Sequence, residues 1–272
     1  MLTFSDQLGR IIHLHSFPKR IISLVPSQTE LLFDLGLRDE VIGITKFCVH
    51  PQQWFHKKTR VGGTKNLNIE LITSLEPDLI IANNEENTKE QVEGLATKYP
   101  VWISDVHNLE TALQMISSVG ELTNKVQRAS LIADQIKEGF DQLQTGLVRR
   151  NITSDEGSNE PQTAYIIWKD PYMTVGSDTF IHDMLKAAGL KNMFEHLTRY
   201  PEIKIADLQA KNCQLLLLST EPYPFNQKHV DELQIHLPDT KIILVDGEMF
   251  SWYGSRLLKV PGYFRKVFEV WG

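Results

Sequence analysis

The chain has 272 residues, 42% of them hydrophobic and 23% charged, enough apolar side chain for one large domain or two ordinary ones. The formal net charge of −6 excludes a nucleic-acid partner held by a general basic field. No run of like charge marks an interaction tail.

Residues 1–19 predict a hairpin, with strands Leu2 to Phe4 and Arg10 to Leu14 and a turn at Asp6 to Gly9. His13 and His15 alternate on one face of its second strand. An H-x-H of this kind can bind metal, but no third ligand is near in sequence, so a solvated face is the simpler reading. An α/β alternation follows. Arg20 to Val25 is a short apolar run and predicts a buried strand. Ser27-Gln-Thr-Glu30 has capping-box spacing and predicts a helix over Thr29 to Leu35, closed at Gly36. Strand Val41 to Ile44, a helix over Ile69 to Leu75 capped by Asn68, and strands Leu79 to Ala82 and Val101 to Ile103 come next. Short apolar strands alternating with helices imply a mostly parallel sheet covered on both faces.

Glu121 to Leu147 contains no proline. Its apolar residues Leu122, Val126, Ala129, Ala133, Ile136, Phe140, Leu143 and Leu147 fall at helical spacing. One helix of that span is roughly 40 Å long. Asn151 to Gln162 is polar and turn-rich and predicts an exposed loop. A second series then begins: strand Ala164 to Trp168, helix Phe180 to Ala188 closed by Gly189, helix Ile205 to Lys211, strands Leu215 to Ser219 and Ile242 to Val245, and a last helix from Pro261 to Val270. The halves echo each other. "IISLVPSQTELLFDLGL" parallels "YIIWKDPYMTVGSDTFIHDMLKAAGL", and "NIELITSLEPDLIIA" parallels "KIADLQAKNCQLLLL". The simplest architecture is two similar α/β lobes joined by one long helix.

Cys48 and Cys213 form neither a CxxC nor a zinc pattern; free thiols are the expected state, with a disulfide as the alternative. The opening MLTFSDQLGR shows no basic start and no apolar core of a leader peptide, and no stretch reaches membrane-spanning length. The sequence therefore reads as soluble; an exported protein written without its leader reads the same. There is no GxSxG, HExxH, P-loop or GxGxxG, and the Glu85–Glu86 pair reads as a solvated loop, so no enzyme is expected.

Three segments carry a family resemblance: "KRIISLVPSQTELLFDLGLRDEVIGIT", "RVGGTKNLNIELITSLEPDLIIAN" and "YMTVGSDTFIHDMLKAAG". With the preceding hairpin they resemble the periplasmic solute-binding proteins of the iron-chelate and cobalamin class, the helical-backbone receptors of ABC importers. The likeness runs from Leu2 to about Phe268. "FCVHP" and "FSWYGSR" sit where cobalamin binders line their cleft. The resemblance implies an N-terminal lobe over 1–120, a rigid backbone helix over 121–150 and a C-terminal lobe over 151–272, with a ligand held between the lobes. It also implies a monomer without intrinsic cofactor, an ABC permease as partner and a place in the periplasm or cell envelope. The absent leader leaves a cytoplasmic metal or corrinoid carrier as the alternative. The implied ligand is a metal chelate: a corrinoid, or alternatively haem or a ferric siderophore.

Loops that leave the carboxyl ends of parallel strands are where such folds bind ligands. Phe47, His50 and Thr64 fall there in the first lobe, and Trp168, Tyr172, Tyr223, Glu248, Phe250, Trp252, Tyr253 and Arg256 in the second. The rings can stack on a flat ligand, while Glu248 and Arg256 can meet its polar edges or pair with each other. For Trp252 and Tyr253 a core position beneath the last helix is the alternative. His50 is the candidate axial metal ligand, though a histidine before proline is more often a plain loop residue. Some cobalamin binders carry tryptophan near the position of Thr64. For permease docking the resemblance implies Glu70 in the first lobe. In the second lobe the matching position is Ala206, with Asp207 beside it as the substitute.

Overall fold

The structure, a computed structural model, describes residues 1–153 and 161–268. The chain divides into two compact units. Unit one comprises Met1–Val106, Glu110–Ile136 and Trp252–Leu258; unit two comprises His107–Leu109, Lys137–Ser251 and the chain from Lys259.

Unit one opens with the expected hairpin, β1 (Leu2–Ser5) against β2 (Ile11–Leu14), turned at Gly9 with φ +78°. His13 and His15 are both exposed, and His13 Nδ1 meets the Thr3 hydroxyl at 3.2 Å. The α/β series follows: β3 (Ile21–Ser23), α1 (Pro26–Asp34), β4 (Val41–Ile44), α2 (Gln52–Lys57), β5 (Thr59–Arg60), α3 (Ile69–Ser74), β6 (Leu79–Asn83), α4 (Lys89–Ala96), β7 (Val101–Ser104) and α5 (Leu109–Leu122). Its strands form a parallel sheet in the order β5-β4-β3-β6-β7. β3 (Ile-Ile-Ser) and β6 (Leu-Ile-Ile-Ala-Asn) open on apolar residues without alternation and are buried on both faces.

The capping box expected at Ser27 does not form. Proline at its first position starts α1 earlier, at Pro26, no side chain caps it, and Glu30 is engaged elsewhere. Asn68 does cap α3, accepting the Leu71 N–H at 3.0 Å.

The long helix is α6 (Val126–Thr153), 28 residues, and it starts later than its stripe suggested. Glu121 and Leu122 end α5, and Asn124 turns the chain with φ +57°. Gly120 permits the close return, because a Cβ there would lie 2.3 Å from Ala129 Cβ. Ala129, Ile132, Ile136, Phe140 and Leu143 are buried along α6, whereas Val126 is 55% exposed. The helix passes from unit one into unit two between Ile136 and Lys137. Of the loop expected over Asn151 to Gln162, residues 154–160 lie outside the described residues, as do Glu269 and Val270 of the expected last helix.

Unit two contains β8 (Gln162–Ile166), β9 (Tyr172–Met173), α7 (Phe180–Ala187), β10 (Lys191–Asn192), β11 (Glu202–Ile203), α8 (Ile205–Ala210), β12 (Leu215–Ser219), α9 (Gln227–His236), β13 (Lys241–Val245), α10 (Glu248–Ser251) and α11 (Val260–Phe268). Its main sheet is parallel, in the order β10-β8-β12-β13, and β9 pairs antiparallel with β11.

The echo seen in the sequence is a repeat of topology. β3–α1–β4 and β8–α7–β10 each step to one side of their first strand, and α3–β6 and α8–β12 return on its other side. Among the described residues no helix is long and apolar enough to cross a membrane.

Candidate functional site

In each unit the direction of strand addition reverses beside the first strand, between β3 and β6 and between β8 and β12. The crevice outside the carboxyl ends at such a reversal is the favoured ligand position of an open parallel sheet, because the flanking loops diverge there.

In unit one, buried amides shape this place. Asn83 Nδ2 donates to Ser104 O at 3.2 Å and Oγ at 3.0 Å, while its Oδ1 accepts the Glu85 and Glu86 N–H groups at 2.9 Å each. Asn87 Nδ2 donates to Leu24 O at 3.3 Å and to Thr64 O at 3.0 Å. The loops after β3, β5 and β6 are thereby laced together, with Glu85, Glu86 and Thr64 half-buried at the rim. Phe47 follows β4 and is 51% exposed, with the Lys46 ammonium 5.1 Å from its ring centre. His50 is half-buried, its ring edge-on to Trp252 at 5.5 Å. Among the described residues no group of three or more His, Cys, Asp and Glu is placed to hold a metal ion. Cys48 is free and fully buried between the Thr29 and Thr45 hydroxyls, and burial pushes its thiol from 9.0 up to about 11. Cys213, in unit two, is also free and buried and is likewise raised to about 11.

The segment "GEMFSWYGSR" does not present its rings as one wall. Phe250 is a core residue of unit two, fully buried with ring centres of Tyr165 at 5.0 Å and Phe264 at 4.9 Å. Fully enclosed, it has no face free to stack on a ligand. Trp252, Tyr253 and Arg256 belong to unit one, where the 3-10 turn Ser255–Leu258 packs on α1. Arg256 was expected to meet the ligand's edges or Glu248. Instead its Nε and Nη2 bind the Glu30 carboxylate at 2.8 and 3.0 Å, both side chains buried, and its guanidinium lies 4.8 Å from the Trp252 ring centre. Gly254 allows this approach with φ +109°. Trp252 keeps 7% exposure and Tyr253 5%. Tyr253 Oη donates to Glu86 Oε1 at 3.2 Å, and burial, reinforced by the Glu86 charge, raises its pKa well above 10.0, so it remains a phenol.

Unit two is aromatic where unit one is polar. β8 stops at Ile166, short of the expected limit at Trp168, so Trp168 lies beyond it and is 41% exposed. Its ring meets Tyr223, on the loop after β12, at 5.6 Å and 74°. Tyr223 in turn packs on Phe225 at 4.6 Å and His229 at 5.5 Å. Tyr172, expected in the same loop as Trp168, instead starts β9, where it is half-buried, and burial raises its phenol against the opposing effect of Lys169. Lys169 Nζ is held by Glu232 Oε2 at 2.8 Å. Glu248 starts α10 half-buried, its N–H donating to Asp246 Oδ1 at 3.1 Å. Gly247 sets the distance between the β12 and β13 exits, since a Cβ there would lie 2.4 Å from Ser219 Oγ and 2.5 Å from Glu221 Cγ. Asn87 and His229 carry no motif that marks them in the sequence, and the structural parts played by Asn83, Lys169 and Gly247 are not written in their local sequence. His229 has as a local signal only its place, three residues after a helix-capping asparagine.

Glu70 is exposed in the first turn of α3. Asp207 is exposed in the first turn of α8, the counterpart of α3, and its Oδ2 accepts the Lys204 N–H at 2.7 Å.

The chain can be compared with known proteins. It is 28% identical over 197 residues to an uncharacterized ABC transporter substrate-binding lipoprotein, YvrC, of Bacillus subtilis, a match covering 70% of this chain and 60% of that relative, less than two thirds of its length. It is 25% identical over 209 residues to the vitamin B12-binding protein of Photorhabdus laumondii, covering 76% of this chain and 72% of the relative. The fold is similar to that of a periplasmic heme binding protein from Pseudomonas aeruginosa, with a TM-score of 0.80, 18% identity and 92% of both chains covered. The model of the periplasmic binding protein family matches residues 21–236, and the chain belongs to that family.

Proposed function

We propose that this protein is a solute-binding protein of the cell envelope that captures a flat metal chelate, a corrinoid or haem, and hands it to an ABC permease. The observation that carries this reading is the ring pair at the strand reversal of unit two, an exposed Trp168 set against a half-buried Tyr223. A flat apolar face with polar edges is what such a surface stacks upon, each ring contributing on the order of 0.5–1.5 kcal/mol beyond area burial. Phe47 and the Glu85–Glu86 rim are the corresponding offer of unit one. The names of the relatives support the ligand class: the Photorhabdus protein binds vitamin B12 and the Pseudomonas protein heme. Binding, not catalysis, is the function, and the protein acts as a single copy. Glu70 and Asp207, at matching helix starts, are the docking carboxylates for the permease; Asp207 stands in for Ala206, although its carboxylate also serves its own helix. His50 is the axial candidate should the bound metal have an open position.

Titration with dicyanocobinamide, cobalamin, haem and a ferric siderophore tests the reading. A saturable change in the visible bands with the corrinoids or haem is expected. Absence of binding by all of them overturns it.

A further inference from the structure

The Tyr223 hydroxyl has a partner whose protonation the geometry determines. His229 is the third residue of α9, whose cap is Asn226. The Asn226 backbone N–H donates to His229 Nδ1 at 3.1 Å. A nitrogen that accepts cannot carry a proton, so the ring is the neutral tautomer with its hydrogen on Nε2. Nε2 lies 3.4 Å from Tyr223 Oη. The imidazole therefore donates and the phenol oxygen accepts.

A phenol oxygen with its acceptor side occupied has its own O–H left to direct outward. Tyr223 is half-buried, with its ring fixed between Trp168, Phe225 and His229. We infer that His229 is a positioning residue that turns Tyr223 into a fixed hydrogen-bond donor at the edge of the aromatic platform. The site then selects a flat ligand whose rim carries an acceptor oxygen, as an amide carbonyl or carboxylate does. This inference rests on the proposed function for the ligand, but not for the state of the histidine.

Two arms test it separately. Nitrogen-15 NMR of the ligand-free protein, labelled in histidine, reads the ring directly. A His229 with protonated Nε2 and bare Nδ1 at neutral pH is expected; a protonated Nδ1 overturns the inference whatever the ligand. The second arm uses dicyanocobinamide, whose rim carries amide carbonyls. Tyr223→Phe keeps the ring, removes the donor, and should weaken binding by about fivefold to tenfold. His229→Gln keeps both roles, its carbonyl accepting from Asn226 and its amide donating to Tyr223, and should bind within about twofold of the natural protein. His229→Glu keeps the cap, but its spare oxygen captures the Tyr223 proton, and the affinity should fall as far as in Tyr223→Phe. Equal binding by all these variants overturns the inference while the ring platform stands. If dicyanocobinamide is not bound at all, the corrinoid reading fails, acceptor selection fails with it, and the NMR arm alone decides the orientation of the pair.

Discussion

The two units share one topology and furnish it with opposite chemistry. In unit one the reversal between β3 and β6 is filled by amides and carboxylates, and the rings delivered there by the returning segment are almost covered. In unit two the reversal between β8 and β12 is filled by rings, and Trp168 is left open to solvent. The shared strand order supplies a place for a ligand, while the exit loops decide what that place can hold. The difference teaches that aromatic content alone does not locate a binding surface. Phe250 and Trp168 both follow a strand of unit two, yet one ring is fully buried and the other 41% exposed.

That contrast can be broken residue by residue. Phe250→Ala removes a ring enclosed by Tyr165 and Phe264 and should lower stability by about 3–5 kcal/mol in urea titration. A loss below about 1 kcal/mol would return Phe250 to the list of ligand-facing rings. Arg256→Ala leaves the buried Glu30 carboxylate without its bidentate partner and should cost a comparable 3–5 kcal/mol, roughly, in unit one. If the protein tolerates it, the returning segment is not anchored by that pair.

Gly247→Ala comes next. Its new Cβ falls on Ser219 and Glu221, so a loss of about 1–3 kcal/mol and weaker ligand binding are expected. Gly262→Ala is the control, since a Cβ there meets nothing within 4 Å and lies in a helix, where alanine is favoured by about 0.5–1 kcal/mol. A further effect shows only on the alkaline side and is common to both units. The Cys48 and Cys213 thiols are raised from 9.0 to about 11, so the unfolded chain loses these protons first. Their contribution is complete below about pH 9 and lost as pH climbs toward 11, giving stability that falls over that window. Cys48→Ser should flatten this slope in pH-dependent melting; an unchanged slope would show that the thiol ionises freely.

Much of the fold was legible because buried strands announce themselves. Val41–Ile44 and Leu215–Ser219 have the limits their apolar runs imply. Helices with few inward residues were not legible: α4 buries only Val92 and Leu95, and α9 only Leu233. The start of α6 was misplaced because the stripe continues across the Asn124 turn, where a left-handed residue, not a change of hydrophobicity, ends α5. At the site, Trp168 and Tyr223 could be found because a ring just past a strand is a local signal. The Glu30–Arg256 pair could not, because it joins residues 226 positions apart and depends on which unit claims the returning segment.

The central claim is that Trp168, exposed on its Tyr223 support in unit two, grips a flat chelate. Isothermal and spectrophotometric titration of Trp168→Ala beside the natural protein, with dicyanocobinamide and haem, tests it most directly. Affinity should fall by about tenfold or more, the worth of a stacked ring with the apolar area it buries, while stability stays within about 0.5 kcal/mol. Undiminished affinity in Trp168→Ala, with the natural protein binding the same ligand, would contradict the account.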